Sequence, residues 1–294
     1  MEKRRFTGSI VALVTPFKDG KVDERRLKEL VDWQVQSRTD AIVPCGTTGE
    51  SPTLSHDEHK RVVEVVIQQA AGRVPVIAGT GSNSTAETLD LTRHAKAAGA
   101  DGCLVVVPYY NKPTQQGLFE HFTAVAEVGL PVIMYNIPGR TAVNMAPETV
   151  ARLAQHPNIV GMKEATGNLE QMTQDIVLCG DQLTYVSGDD TLTLPLMSVG
   201  GHGVISVVAN IVPKDTADCC HAFLNGDWKR AQELHLRLFP LSQAMFYETN
   251  PIPVKTALAL MGKIDLEFRL PLCRMAEANL NKLKAALKNY GLPA

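Results

Sequence analysis

The chain has no C-x-x-C pair, no apolar run long enough to span a bilayer and no block of like charge, and each absence removes a class of function. Without paired spacing, Cys45, Cys103, Cys179, Cys219, Cys220 and Cys273 read as reduced thiols rather than as a disulfide frame or a zinc ribbon. The apolar run from Ile10 to Val14 follows a basic Met1-Glu2-Lys3-Arg4-Arg5, but it is too short for a signal-peptide core and ends at Thr15-Pro16. Charge is balanced, 29 basic against 31 acidic residues, so neither nucleic acid nor a membrane is expected as a partner. A soluble, cytoplasmic protein is the expectation. Several motifs are missing too. No Gly-x-Gly-x-x-Gly follows the first apolar run, which argues against an open nucleotide-binding sheet. The glycine-rich Gly79-Thr80-Gly81-Ser82-Asn83 lacks the lysine of a P-loop, and no Gly-x-Ser-x-Gly supports a serine hydrolase. His56 and His59 have ligand-like spacing, but no third ligand lies near in sequence, so no metal is expected.

What is present is a repeating alternation. The chain has 294 residues, 45% of them hydrophobic, enough for a large core. Short apolar runs at 10–14, 41–44, 74–78, 102–107, 131–136, 159–163, 183–187 and 203–207 read as strands. Amphipathic segments separate them, about 25–30 residues per unit, as βα units require. Ser55 with Glu58 and Ser84 with Glu87 read as capping boxes, and Asn168 with Gln171 fits the same signal. Gly72, Gly99, Gly129, Gly180 and Gly200 stand where helices should stop. Eight such units predict a closed (β/α)8 TIM barrel. After Gly226 the alternation ends, and 227–247, 253–262 and 272–289 read as helices. The spacing therefore predicts a barrel over 1–225 and a small C-terminal helical domain over 226–294.

In a barrel the loops after the strands hold the chemistry. The sixth run, Ile159-Val160-Gly161-Met162-Lys163-Glu164, delivers a lysine to a strand end. Alternation puts Ile159, Gly161 and Lys163 on one face, with Gly161 leaving room for the lysine stem. A buried lysine needs a partner or a task, and a desolvated amine is a nucleophile for ketones; the plainer alternative is a lysine that snorkels to solvent. After the second strand comes Gly46-Thr47-Thr48-Gly49-Glu50, either hydroxyl donors for a carboxylate or an ordinary turn. The fourth strand ends in Tyr109-Tyr110-Asn111, the fifth in Tyr135-Asn136-Ile137-Pro138-Gly139-Arg140-Thr141. Tyrosines there can relay protons or simply line a boundary, and Arg140 can grip a carboxylate. The loops after the last two strands, Ser187-Gly188-Asp189-Asp190 and Val208-Ala209-Asn210, hold no Arg or Lys, which argues against a phosphorylated substrate.

Taken together, Gly46-Thr47-Thr48-Gly49-Glu50, Tyr135-Asn136-Ile137-Pro138 and Gly161-Met162-Lys163-Glu164 resemble the pyruvate-dependent class I aldolase family over nearly the whole chain. Thr47-Thr48, Tyr109-Tyr110-Asn111 and Pro138-Gly139-Arg140-Thr141 look like its dihydrodipicolinate synthase branch rather than its N-acetylneuraminate lyases. The resemblance implies condensation of pyruvate with L-aspartate-4-semialdehyde, the committed step towards diaminopimelate and lysine, with no metal or organic cofactor. It assigns Lys163 to the Schiff base, Tyr135 to acid–base work, and Thr47 and Tyr110 to a proton relay. Thr48 and the backbone near Gly188 and Ile205 would hold the pyruvate carboxylate and the lysine region. Arg140 would hold the carboxylate of the second substrate. It further implies a homotetramer, a dimer of dimers in which Tyr110 enters the neighbouring site. L-lysine is the expected inhibitor, at Ser51, His56, His59, Asn83, Glu87 and Tyr109. Pro52 departs from lysine-sensitive relatives and could stiffen that loop. A sugar-acid aldolase on the same lysine and a non-catalytic keto-acid sensor are the competing expectations.

Overall fold

Eight parallel strands pair in the order second, first, eighth, seventh, sixth, fifth, fourth, third in the computed structural model, which describes residues 6–294. They are Gly8–Ala12, Ala41–Val43, Ile77–Gly79, Gly102–Val106, Val132–Asn136, Ile159–Glu164, Thr184–Ser187 and Gly203–Ser206. The ends of this order also meet. Ile42 bridges Val76 in parallel, and its N–H donates to Pro75 O at 3.0 Å, while Gly79 N–H reaches Pro44 O at 2.9 Å. The sheet is therefore a closed (β/α)8 barrel, with a helix or short helix after each strand. The basic segment 1–5 lies outside the described residues.

Two apolar layers explain why the strands read as continuous hydrophobic runs, since both faces are buried. Ile10, Ala12, Val43, Ile77, Leu104, Ile133 and Ile205 belong to the layer inside the barrel. Val11, Ile42, Ala78, Val105, Met134 and Met162 face the helices and form the larger core. Strand ends shifted where polar groups intervene. The first strand begins at Gly8, which pairs with Gly203 and donates its N–H to His202 O at 2.8 Å, and beyond Ala12 the Val14 N–H turns to Asn210 Oδ1. The third begins only at Ile77, since the Val76 N–H is taken by Asp101 Oδ2 at 2.8 Å and Pro75 has no N–H to give.

The helix starts differ in detail from the expectation. Ser55 and Glu58 form the full reciprocal box. Ser84 caps Glu87 N–H, but the Glu87 carboxylate turns to Ser82 Oγ at 2.6 Å instead of closing a box. Asn168 caps its helix, yet Gln171 reaches Asn144 and Met145 O. A hairpin, Phe17–Lys18 against Lys21–Val22, was not anticipated, although Asp19-Gly20 with both φ positive is a familiar two-residue turn.

Three helices follow the barrel: Trp228–Ala244, Ile252–Leu260 and Glu277–Tyr290. The last starts at 277 rather than 272, because Glu248 Oε1 accepts from Ala276 N–H and does the work of a cap at that point. No helix among the described residues is long and apolar enough to cross a membrane.

Candidate active site

The sixth strand carries Lys163 to the C-terminal mouth of the barrel, paired in register with Tyr135 on one side and Val186 on the other. Its side chain is 5% exposed, and Nζ stands 4.1 Å from the centre of the Tyr135 ring. Burial pulls the amine down to a pKa of about 7; Asp190 opposes that shift and Arg140 adds to it. Near neutral pH a large share of this amine is therefore unprotonated and nucleophilic.

Two details of the expected strand geometry are corrected. A register shift between Val132 and Ile133 inserts an extra residue, so Val160 packs inside the barrel and Ile159 in the outer core. Ile159 thus does not share a face with Lys163, because the bulge breaks the two-residue alternation. Nor does Gly161 make the room for the lysine. A Cβ there would meet Thr184 O and Ile133, whereas a Cβ on Gly188 would stand 3.0 Å from Lys163 Cε and 2.7 Å from Ala165 Cβ. The glycine that clears the stem comes from the neighbouring strand's loop.

Tyr135 is buried, which pushes its hydroxyl up to about 12, so it keeps its proton at neutral pH; Thr47 is its hydrogen-bond partner. Thr47 and Thr48 sit in a tight turn closed by Gly49 N–H to Gly46 O at 3.1 Å and pinned by Thr15 Oγ1 to Gly49 O at 2.7 Å. Arg140 leaves a single helical turn, Pro138–Thr141. Its Nη2 donates to Asn250 O at 3.1 Å, and Asn250 Nδ2 donates to Thr48 Oγ1 at 3.0 Å. Asn250, in the segment before the helix Ile252–Leu260, therefore ties two strand loops together. Its role was not legible in sequence, since a lone asparagine beside a proline looks like any loop.

One cavity of about 480 Å³ is lined by Thr47, Thr48, Tyr135, Arg140, Lys163 and Gly188. It continues past Ser51, His56, His59, Glu87 and Tyr109, so both groups of expected residues open on a common space. Three expected residues are elsewhere. Tyr110 is 88% exposed at a φ of 73°, outside this chain's cavity. Ile205 has its side chain in the inner core, which leaves the backbone role expected of it untouched, and Val207 forms the wall on that side. Asn83 is not in the lining; its carbonyl accepts from Asn111 Nδ2 at 2.8 Å, and Ser82 stands at the wall instead. His59 lines the cavity with Nε2 committed to Gly79 O at 2.7 Å, and burial lowers its pKa, so the ring is a neutral donor there.

Residues 5–290 match the Dihydrodipicolinate synthetase family. The 4-hydroxy-tetrahydrodipicolinate synthase of Geotalea uraniireducens is 61% identical over 288 residues, 98% of this chain and 99% of the relative. The chain belongs to the dihydrodipicolinate synthetase family. Among solved structures of the family, the dihydrodipicolinate synthase of Acinetobacter baumannii complexed with pyruvate is similar at a TM-score of 0.96 and 47% identity, covering 98% of this chain and 100% of that one. The lysine-bound enzyme from Cyanidioschyzon merolae is similar at a TM-score of 0.94 and 43% identity, covering 98% and 100%.

Two buried acids lie behind the cavity wall and do not line it, Asp190 in the loop after the seventh strand and Glu164 next to Lys163 in sequence. Asp190 was noted only as part of a loop without positive charge. Glu164 follows the lysine and points away from it, accepting from Thr166 N–H at 2.6 Å; burial raises its pKa to about 7. A doubled acid, Asp189-Asp190, at the same barrel mouth as a strand-end lysine was the available signal.

Proposed function

We propose that the chain condenses pyruvate with L-aspartate-4-semialdehyde to 4-hydroxy-tetrahydrodipicolinate, using Lys163 as the Schiff-base nucleophile. The observation that carries this reading is a buried lysine, its pKa pulled down to about 7, against the Tyr135 ring in a cavity that Arg140 also lines. Lys163 Nζ attacks the pyruvate ketone, and the carbinolamine loses water to an iminium. The positive nitrogen draws electrons from the adjacent bond, so the methyl carbon gives up a proton and becomes an enamine. That carbon adds to the aldehyde. The substrate amine then attacks the iminium carbon, the ring closes, and Lys163 leaves as a free amine. Tyr135 suits the proton transfers of the first and last steps, because its hydroxyl stays protonated and Thr47 bonds it. Thr48 and the backbone at Gly188 suit the pyruvate carboxylate, and Arg140 suits the carboxylate of the second substrate. A guanidinium at that place fits an amino-acid aldehyde better than a polyhydroxy chain.

The relay needs a third hydroxyl, and Tyr110 is too exposed to serve its own cavity. A homotetramer built from close dimers, with Tyr110 entering the neighbouring site, supplies it. L-lysine inhibition belongs to the same reading: Glu87 suits an ammonium and Tyr109 an amino-acid head, while Pro52, in the short helix Ser51–Thr53, departs from lysine-sensitive relatives and counts against it. The barrel, 1–225, carries the chemistry, and the helices of 226–294 form a small domain that braces it. Free thiols at all six cysteines, Cys273 exposed among them, fit a reducing cytoplasm. Pyruvate with borohydride tests the core of the proposal. The peptide containing Lys163 gains a stable mass; labelling that persists in Lys163→Ala removes the assignment. A catalytic reading also requires turnover with L-aspartate-4-semialdehyde, which a keto-acid sensor lacks.

A further inference from the structure

The two threonines of the Gly46–Glu50 loop are adjacent and serve different partners. Thr47 bonds the Tyr135 hydroxyl. Thr48, 2% exposed, takes a hydrogen bond from Asn250, whose Nδ2 donates to Thr48 Oγ1 at 3.0 Å. A hydroxyl has one proton and two lone pairs. With one lone pair occupied by an amide N–H, the proton turns away from Asn250. Among the described residues no protein group accepts it. Thr48 lines the same cavity as Lys163, so the cavity is where that proton can find an acceptor.

Asn250 is 5% exposed and lines the cavity too, although it comes from the segment ahead of the helix Ile252–Leu260 and not from a barrel strand. Its main-chain carbonyl is used separately, accepting from Arg140 Nη2 at 3.1 Å. One residue thus meets both groups suited to carboxylates, Thr48 through its side chain and Arg140 through its backbone. The contact is held in place from both ends. Lys255, on the first turn of that helix, is ion-paired with Glu50, two residues beyond Thr48, and both side chains are inaccessible. Helix and loop therefore cannot drift apart without breaking a buried pair.

We propose that Asn250 is a positioning residue that makes Thr48 a hydrogen-bond donor to the keto-acid carboxylate. The amide is the side chain this task needs. A carboxylate in its place would only accept, and would take the Thr48 proton for itself. An aliphatic side chain would leave the hydroxyl free to rotate. A hydroxyl held with its proton towards the cavity is preorganised for an anion, and hydrogen bonds to charged groups are the stronger ones. The C-terminal segment thereby takes part in binding the keto acid as well as bracing the barrel.

This rests on the reading of Thr48 as a partner of the pyruvate carboxylate, and a double-mutant cycle separates the two. The KM values for pyruvate and for L-aspartate-4-semialdehyde are measured in wild type, Asn250→Ala, Thr48→Val and the double variant, with thermal melting as the check on folding. Thr48→Val keeps the shape, removes the hydroxyl and raises the KM for pyruvate about tenfold or more. Asn250→Ala raises it roughly three- to tenfold. The KM for the aldehyde stays within about twofold in Asn250→Ala, because Arg140 is held by the Asn250 backbone, which the substitution keeps. In the Thr48→Val background the same substitution adds less than about twofold, since no hydroxyl remains to be aimed. Effects that simply multiply in the double variant overturn the inference, because Asn250 then acts apart from the Thr48 hydroxyl. An equal rise in both KM values also overturns it, as the mark of a residue that only holds the fold. So does a pyruvate KM that falls or stays in Asn250→Ala, the mark of an amide that takes the threonine proton. An unchanged pyruvate KM in Thr48→Val instead removes Thr48 from the carboxylate site, and with it the reading beneath the inference. Should Asn250→Ala not fold, Asn250→Ser goes through the same cycle with the same outcomes: it keeps a small polar group in the buried place and is too short to reach Thr48.

Discussion

Two lysines are buried among the described residues, and they are buried for opposite purposes. Lys255, on the helix Ile252–Leu260, is fully inaccessible and ion-paired to Glu50, itself fully inaccessible. Its Nζ lies 4.2 Å from the Phe17 ring centre and 5.2 Å from that of Phe268, so the hairpin, the Gly46–Glu50 loop and the C-terminal segment all close on it. Lys163 has a tyrosine ring, a neighbouring arginine and a carboxylate that is anchored elsewhere. Burial with a dedicated partner stiffens a junction. Burial without one leaves an amine that gives up its proton near neutrality, and that is the more useful state for attacking a ketone.

The largest expected effect that would sharpen the contrast is on turnover. Lys163→Ala should lose at least about 10⁴-fold in kcat, because no other group can form the adduct, yet melt no lower than the parent. A lower melting temperature with residual turnover would make Lys163 structural and erase the distinction. Next comes stability at the other lysine. Lys255→Met leaves the Glu50 carboxylate buried and uncompensated, a cost of about 3–5 kcal/mol by denaturant titration. Adding Glu50→Gln to that variant should recover part of the loss. A single-variant cost below about 1 kcal/mol breaks the comparison from this side.

Tyr135→Phe should lower kcat by about 10²–10⁴-fold and leave pyruvate trapping affinity nearly intact, since ring packing over Lys163 is kept. Equal kcat would take Tyr135 out of the proton path. The most gradual effect, read as a slope, is a pH dependence of stability. The folded-state pKa of Lys163, about 7, lies below its unfolded value of about 10.4. Between those values the unfolded chain holds the extra proton, so stability rises with pH by up to about 1.4 kcal/mol per unit from this group. Lys163→Ala removes that slope; its advantage over wild type should therefore be greatest at the acid end and shrink towards pH 10. Parallel stability curves for the two proteins would mean that Lys163 keeps its proton when folded.

Much of the architecture is legible in the sequence. Eight apolar runs with glycine stops between them are a local signal, because a strand buried on both faces needs side chains that are apolar in unbroken succession. The Asp19-Gly20 hairpin carried an equally local signal that was passed over. Residue identities at strand ends were readable for the same reason. Lys163, Tyr135, Thr47, Thr48 and Arg140 stand where the chain leaves a strand, and closure of the barrel brings all such points to one mouth.

Tertiary structure decided everything that depends on a neighbour distant in sequence. The bulge at Val160 comes from pairing with the fifth strand, and it moved Ile159 to the other face. The space for the lysine stem belongs to Gly188, not to the nearby Gly161. Asn250 reaches Thr48 across 202 positions and Lys255 reaches Glu50 across 205. Composition and periodicity report what a residue prefers beside its immediate neighbours. The proton affinity of an amine depends on how much water is excluded and on which charges converge from other strands, and those are properties of the closed barrel.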